Sequence, residues 1–395
     1  MPTSVALRRR LVEELEQAGH IRTAAVRDAF LAVPRERFVP EFAKSDGLDA
    51  VYRNDVVITK KDEHGGAVSS SSAPSIMAVM LEQLQLEPGH RVLEVGAGTG
   101  YNAALIKHII GGSGRVTTID IDPATARQAR ANLRAARVPA RVVAGDGRKG
   151  HSAGAPFDRI IATASATEIP KPWYRQLAPG GIIVAPFFLR HGVYWPQIAV
   201  ALRKVKGGLE SASVAAAGFM ALRDSADAPA TGVPYVDILM KGVGAERRIA
   251  AMTGEALRTL DDARIRKLLS LVLGPGRRRP IRVRGSAAGL HAFLSLAGPQ
   301  HRQLVGTMGL VDRNLRSFAY IGANKGRYTM RANGTPAAEN ELGRLVDAWH
   351  ALGSPDLANL HIRITYAGTP PRAWRTIVRG PSRVSFDWSR PTKRP

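Results

Sequence analysis

The chain has 395 residues, 45% of them hydrophobic, and 56 Lys+Arg against 33 Asp+Glu give a formal charge of +23 at pH 7. The absence of cysteine excludes disulfides, thiolate metal sites and a cysteine nucleophile, and nothing in the sequence points to another metal site. No apolar run approaches the roughly 18 residues of a membrane span, and the length is more than one typical domain needs.

The charge predicts attraction to polyanions or acidic peptides, or else a solvated, arginine-rich surface. The basic start at Arg8, Arg9 and Arg10 runs into Glu13, Glu14 and Glu16 rather than an apolar signal core, so the expected location is cytoplasmic. From Leu11 to about Phe42 the apolar spacing is helical, broken by Gly19, Pro34 and Pro40. Residues 60–72 read as a small, polar, flexible loop. Ala73-Pro74 then opens an amphipathic helix bearing Ile76, Met77, Met80, Leu81 and Leu84, which places a serine cluster at a helix N-terminus.

Between Arg91 and Pro186, β-rich runs at Val92 to Val95, Val116 to Ile119, Val142 to Ala144, Arg159 to Ala162 and Ile182 to Val184 alternate with helical stretches. Such alternation predicts an α/β fold with a doubly wound, Rossmann-like parallel sheet. Residues 224–234 (DSADAPATGVP) suit a linker. The expected organisation is a catalytic domain over 1–223, with 1–85 as a helical, substrate-proximal preamble, and a C-terminal α+β domain over 235–395. In that second region Thr335 and Pro336 begin a helix with the stripe Leu342, Leu345, Val346, Trp349 and Leu352, ended by Gly353. Runs near Arg282 to Arg284, Phe318 to Ile321 and His361 to Tyr366 read as strands.

The strongest local signal is the strand Val92 to Val95, containing Glu94, running into Gly96-Ala97-Gly98-Thr99-Gly100 and then a helix. Glycines there let the backbone approach a ligand closely. Asp120 ends the next strand 20 residues after Gly100, where a carboxylate can accept both ribose hydroxyls, with Ile121 beside it. The spacing is GxGxG rather than the GxGxxG that seats a pyrophosphate, so the ligand should carry a ribose and no phosphate. S-adenosylmethionine, with S-adenosylhomocysteine as product, fits, with Glu94 and the Gly96 to Gly100 backbone expected at its amino-acid portion. Gly145-Asp146-Gly147 ends a third strand on the same sheet edge and can accept from an adenine amine.

Several blocks in register carry a resemblance: VPRERFVP at 33–40, Ser72-Ala73-Pro74, VLEVGAGTGY at 92–101, Gly145-Asp146-Gly147, APFD at 155–158, IIATASATEIP at 160–170 and LAPGG at 177–181. Over roughly residues 10–220 the chain resembles the protein-L-isoaspartate O-methyltransferase family. The resemblance implies a class I methyltransferase fold and assigns Ser72 to engage the acceptor carboxylate, with Ser71, Ala73, Pro74, Thr163, Ser165 and Glu168 around it. The family's compact Gly-Gln-Thr-Ile stretch is replaced here by Gly66-Ala67-Val68-Ser69-Ser70-Ser71, so the acceptor pocket should differ, and His64 lies in the loop before it.

The C-terminal region goes beyond what a repair enzyme needs. Enzymes that resemble this family and carry such an extension esterify one aspartate of a ribosomally made (RiPP) precursor peptide, leading to a succinimide (aspartimide). That tailoring reaction is the first expectation, with an acidic precursor, linear or cyclised, recruited by the second domain. The alternative is methylation of isoaspartyl residues for protein repair. A nucleic-acid methyltransferase or binding protein is the third and least expected reading, because Thr163-Ala164-Ser165-Ala166 lacks the Pro-Pro-aromatic turn of base-methylating enzymes and the basic runs lack stacking aromatics. Neither a membrane nor a nucleic-acid partner is expected, and the sequence leaves the oligomeric state open.

Overall fold

Three helices lead the chain: α1 (Ser4–Gln17), α2 (Ala24–Ala32) and α3 (Pro40–Val51). Thr3 and Thr23 cap the first two by accepting from the amides of Ala6 and Val26, as threonine does at N-termini. Gly19, at φ 72°, turns the chain between them. The computed structural model describes residues 2–63, 65–189, 196–223, 235–239, 249–253, 260–299, 302–304, 308–324 and 326–389. The linker expected at 224–234, and His64, lie outside those residues.

The segment expected as a flexible loop is a hairpin, in which β1 (Val57–Lys61) pairs antiparallel with β2 (Ala67–Ser71) from Val57↔Ser71 to Lys61↔Ala67. Helix α4 (Pro74–Leu84) follows, started by Pro74. The expected α/β alternation is then present: β3 (Arg91–Val95), α5 (Tyr101–Ile110), β4 (Arg115–Asp120), α6 (Pro123–Ala135), β5 (Arg141–Ala144), β6 (Phe157–Ala162), α7 (Lys171–Gln176) and β7 (Leu177–Phe188). Val92, Leu93, Val95, Ile160, Ile161 and Ala162 are all buried, because helices cover both faces of a parallel sheet. β8 (Gln197–Val205) and β9 (Gly208–Ala217) continue antiparallel from β7.

Further on lie the pair β10 (Tyr235–Leu239) and β11 (Ile249–Thr253), then α8 (Asp262–Leu273), β12 (Arg277–Ile281), α9 (Ala287–Ala297), β13 (Gln303–Leu304), β14 (Met308–Val311), β15 (Ser317–Asn324), β16 (Arg327–Gly334) and α10 (Ala337–Ala351). Strands β12 to β16 form a five-stranded antiparallel sheet, whose Leu310, Ile321 and Met330 pack on Leu290 and Phe293 of α9 and Leu342 and Trp349 of α10. The basic run at Arg277 to Arg279 is the edge strand β12; the strand expected near Arg282 to Arg284 ends at Ile281.

The domain boundary at 235 needs correction. β17 (Leu360–Thr365), β18 (Arg375–Arg379) and β19 (Ser382–Trp388) join the catalytic sheet through β17↔β9, giving ten strands in the order β18-β19-β17-β9-β8-β7-β6-β3-β4-β5. Ile362, Ile364, Val384 and Phe386 share one buried cluster with Leu93, Ile160 and Ile183. The last strands are therefore part of the first domain's core. Among the described residues no helix is long and apolar enough to cross a membrane.

Candidate active site

At the C-terminal ends of β3, β4 and β6 lies a cavity of about 370 Å³, walled by the glycine turn, by Asp120 and Ile121, by the hairpin and start of α4, and by residues 218–223. Its size is that of a pocket that encloses a small ligand, roughly 300–1,000 Å³, and this edge is where open α/β sheets bind ligands.

Gly96, Gly98 and Gly100 have φ of 100°, 50° and 85°. A Cβ at Gly96 would sit 2.3 Å from Thr163 Oγ1, and one at Gly98 would sit 3.2 Å from the Ser70 carbonyl oxygen. The turn is therefore a cradle that only glycine can form, and it lies close under the serine strand. Gly96, Ala97, Gly98 and Thr99 line the cavity; Gly100 packs instead on Leu133, where it starts α5.

Asp120 lines the cavity and accepts from the Gly98 and Asp122 amides, both at 3.0 Å. Burial pushes its pKa up, against the pull of those two amide bonds. A carboxylate has room for about four hydrogen bonds, so lone pairs remain for a ribose.

Glu94 is fully buried and is not part of the cavity wall. Asn102 Nδ2 donates to its Oε1 at 2.8 Å and Thr118 Oγ1 to its Oε2 at 2.6 Å. Burial raises its pKa to about 7, offset in part by those two donors. The expected direct contact with cofactor is thus replaced by support from beneath, since Glu94 holds Asn102, which does line the cavity.

Of the Gly145-Asp146-Gly147 triplet, only Gly147 reaches the cavity. Asp146 is paired with Arg148, whose Nε and Nη2 donate to it at 3.0 Å each, and it caps a short helical turn. Gly147 is fixed by Trp173, whose Nε1 donates to its carbonyl at 2.8 Å.

On the acceptor side Ser71, Ser72 and Ala73 line the cavity, while Pro74 is buried beneath as the first residue of α4. Ser71 is 4% exposed, and its hydroxyl has no hydrogen-bond partner among the described residues. Behind this strand Arg35 is completely buried, and its guanidinium donates to the carbonyls of Val51 at 2.9 Å, Arg53 at 3.2 Å, Asp55 at 3.0 Å, Ser71 at 3.4 Å and Ser72 at 3.1 Å. Sequence reasoning quoted Arg35 within a block and gave it no role. Lys60 on β1 pairs with Asp122 at the start of α6, tying the hairpin down over the cavity.

Thr163 lines the cavity and donates to the Gly96 carbonyl at 2.8 Å. Ser165 and Glu168 do not fit the expectation. Ser165 is buried against Gln197, and Glu168 lies beside the β18–β19 turn, close enough that a Cβ on Gly380 would meet its carboxylate at 2.0 Å. The wall at 218–223, absent from the sequence reading, is held by Ser165 N–H to Met220 O at 2.7 Å and Leu222 N–H to Ser165 O at 2.8 Å.

The glycine cradle and Asp120 fit S-adenosylmethionine. Gly96 to Thr99 would meet its amino-acid part, Asp120 its ribose, and Ile121 and Gly147 its base.

A family model described as protein-L-isoaspartate(D-aspartate) O-methyltransferase matches residues 6–226. A protein-L-isoaspartate O-methyltransferase of Methanopyrus kandleri is 42% identical over 186 residues, which is 47% of this chain and 78% of that one. Another, of Hyperthermus butylicus, is 41% identical over 224 residues, covering 54% of this chain and 88% of that one. A solved structure named protein-L-isoaspartate O-methyltransferase shares the fold over 96% of this chain and 99% of its own, with a TM-score of 0.53 at 23% identity.

Proposed function

The chain belongs to the protein-L-isoaspartate O-methyltransferase family, and from that premise we propose that it methylates the free carboxylate of isoaspartyl residues in protein substrates. It is an S-adenosylmethionine-dependent protein carboxyl methyltransferase. When bound, S-adenosylmethionine supplies a sulfonium-activated methyl group.

The observation that carries the proposal is that the serine strand and the glycine turn line one cavity, so close together that a Cβ added at Gly98 would come within 3.2 Å of the Ser70 carbonyl oxygen. A carboxylate accepting from Ser72, and from the unpartnered Ser71 hydroxyl, would sit directly against the cofactor cradle. Such an acceptor is already ionised near pH 7, so no residue has to remove a proton. Positioning is what remains for the protein to supply, and Arg35 supports it by fixing the Ser71 and Ser72 carbonyls.

A second reading keeps this chemistry and changes the acceptor to one aspartate of a ribosomally made precursor peptide, followed by aspartimide formation. Val56 and Ile58, 55% and 48% exposed on the cavity rim, favour an acceptor with an apolar flank. The last three strands of the C-terminal extension lend it no support, being built into the catalytic sheet.

The test is incubation with S-adenosylmethionine of two synthetic peptides that differ only in isoaspartyl against aspartyl linkage, read by mass spectrometry. Repair activity predicts one added methyl on the isoaspartyl peptide alone, then loss of methanol to the succinimide. Methylation of neither peptide, with turnover only of a dedicated precursor, favours the second reading.

A further inference from the structure

The extension beyond β9 reaches the segment that follows β6 through two side chains. Tyr366, just after β17, is buried and donates its hydroxyl to the Ile169 carbonyl at 2.8 Å, while its ring lies 4.9 Å from that of Tyr174. Arg379, the last residue of β18, is 5% exposed. Its Nη1 donates to the carbonyls of Thr167 at 2.9 Å and Phe188 at 2.6 Å, and its Nη2 to that of Leu189 at 2.7 Å. The guanidinium lies 4.6 Å over the Phe187 ring.

These acceptors belong to two adjoining stretches. One is the segment that leaves β6, whose Thr163 and Ala164 line the cavity. The other is the end of β7, which bridges to it through Ala166 N–H to Pro186 O at 2.9 Å and Phe188 N–H to Ala166 O at 3.2 Å. Among the described residues Arg379 makes no ion pair within 4 Å; its charge is matched by backbone carbonyls, an aromatic face and the nearby carboxylate of Glu168. Burying a guanidinium in this way is costly compared with an apolar side chain of similar size. What it provides that an apolar side chain cannot is a fork of donors joining two chain segments.

We propose that Arg379 and Tyr366 are positioning residues for methyl transfer, by which residues 360–388 hold the 163–170 segment, and with it the cavity-lining Thr163 and Ala164, in place against the glycine turn. Residues 360–388 thus act as a brace for the active site rather than as part of a tethered recruiting module. The kinetic part of this inference rests on the isoaspartyl reading above; the structural part does not.

The test uses full-length Tyr366→Phe, Arg379→Met and Arg379→Lys proteins. Hydrogen exchange of the 163–170 segment should quicken in Tyr366→Phe and more so in Arg379→Met, with Arg379→Lys between Arg379→Met and wild type. The KM for an isoaspartyl peptide should rise about tenfold in Arg379→Met and partly recover in Arg379→Lys, while S-adenosylhomocysteine affinity stays within about twofold. If Arg379→Met fails to fold, Tyr366→Phe decides, since it removes one hydroxyl. Wild-type exchange at 163–170 in every folded variant overturns the proposal. A wild-type enzyme inactive on isoaspartyl peptides overturns the functional reading instead and leaves the exchange result to judge the brace.

Discussion

Arg35 Nη2 donates to the carbonyl of Ser72 at 3.1 Å, so the serine assigned to the acceptor is held from behind by a cation with no exposed surface. Arg35→Met leaves several buried carbonyls without a donor, at roughly 1–3 kcal/mol each before relaxation, and should destabilise the protein by about 3 kcal/mol or more. Urea unfolding checks this. In Arg35→Lys, which keeps the charge and loses the fork, acceptor KM should rise more than cofactor Kd.

Gly96→Ala should disable cofactor binding. The new Cβ would lie 2.3 Å from Thr163 Oγ1 at a φ of 100°. Backbone strain of this kind costs about 1–3 kcal/mol. Adding Thr163→Ala removes the clash and leaves the strain, so calorimetry with S-adenosylhomocysteine should show only partial recovery.

Asp120→Asn replaces an acceptor-only group by one that must turn an NH2 toward a ribose hydroxyl or toward the Gly98 and Asp122 amides. S-adenosylhomocysteine should bind roughly 10- to 100-fold more weakly, the effect of losing about 1.5–3 kcal/mol. Thermal stability without ligand should change much less.

Glu94 sets a pH dependence of the cofactor-free protein. Its pKa rises from 4.5 to about 7 on folding, so between those values the folded state keeps a proton that the unfolded chain has released. Its contribution is full below about pH 4.5 and is lost as the pH climbs through about 7, a swing of roughly 3 kcal/mol. Glu94→Gln can still accept from Asn102 and donate to Thr118. Unfolding free energies from urea titrations at about pH 5 and about pH 8 should differ less in Glu94→Gln than in wild type by up to that amount.

What could be read from the sequence was what is local in it. Gly96, Gly98 and Asp120 announce their site because one strand-turn-helix and the end of the next strand build it. Arg35 could not be assigned, because its five carbonyl partners come from Val51 to Ser72 and no spacing encodes them. The hairpin was hidden because Ala67 to Ser71 are small and polar, with no apolar alternation to show a strand. The pairing of Asp146 with Arg148, two residues on, was not legible because nothing in the triplet's spacing aims the two side chains at each other. The joining of β17 to β9 pairs Arg363 with Glu210, across a sequence gap that no local pattern crosses.

The most direct test of the account is the steady-state kinetics of Ser72→Ala on an isoaspartyl peptide, with S-adenosylhomocysteine affinity measured alongside. A carboxylate held by the Ser72 hydroxyl against the glycine cradle predicts a fall in kcat/KM of about tenfold or more, as for loss of a hydrogen bond to a charged group, with cofactor binding intact. Wild-type kcat/KM in Ser72→Ala would contradict it and place the acceptor elsewhere.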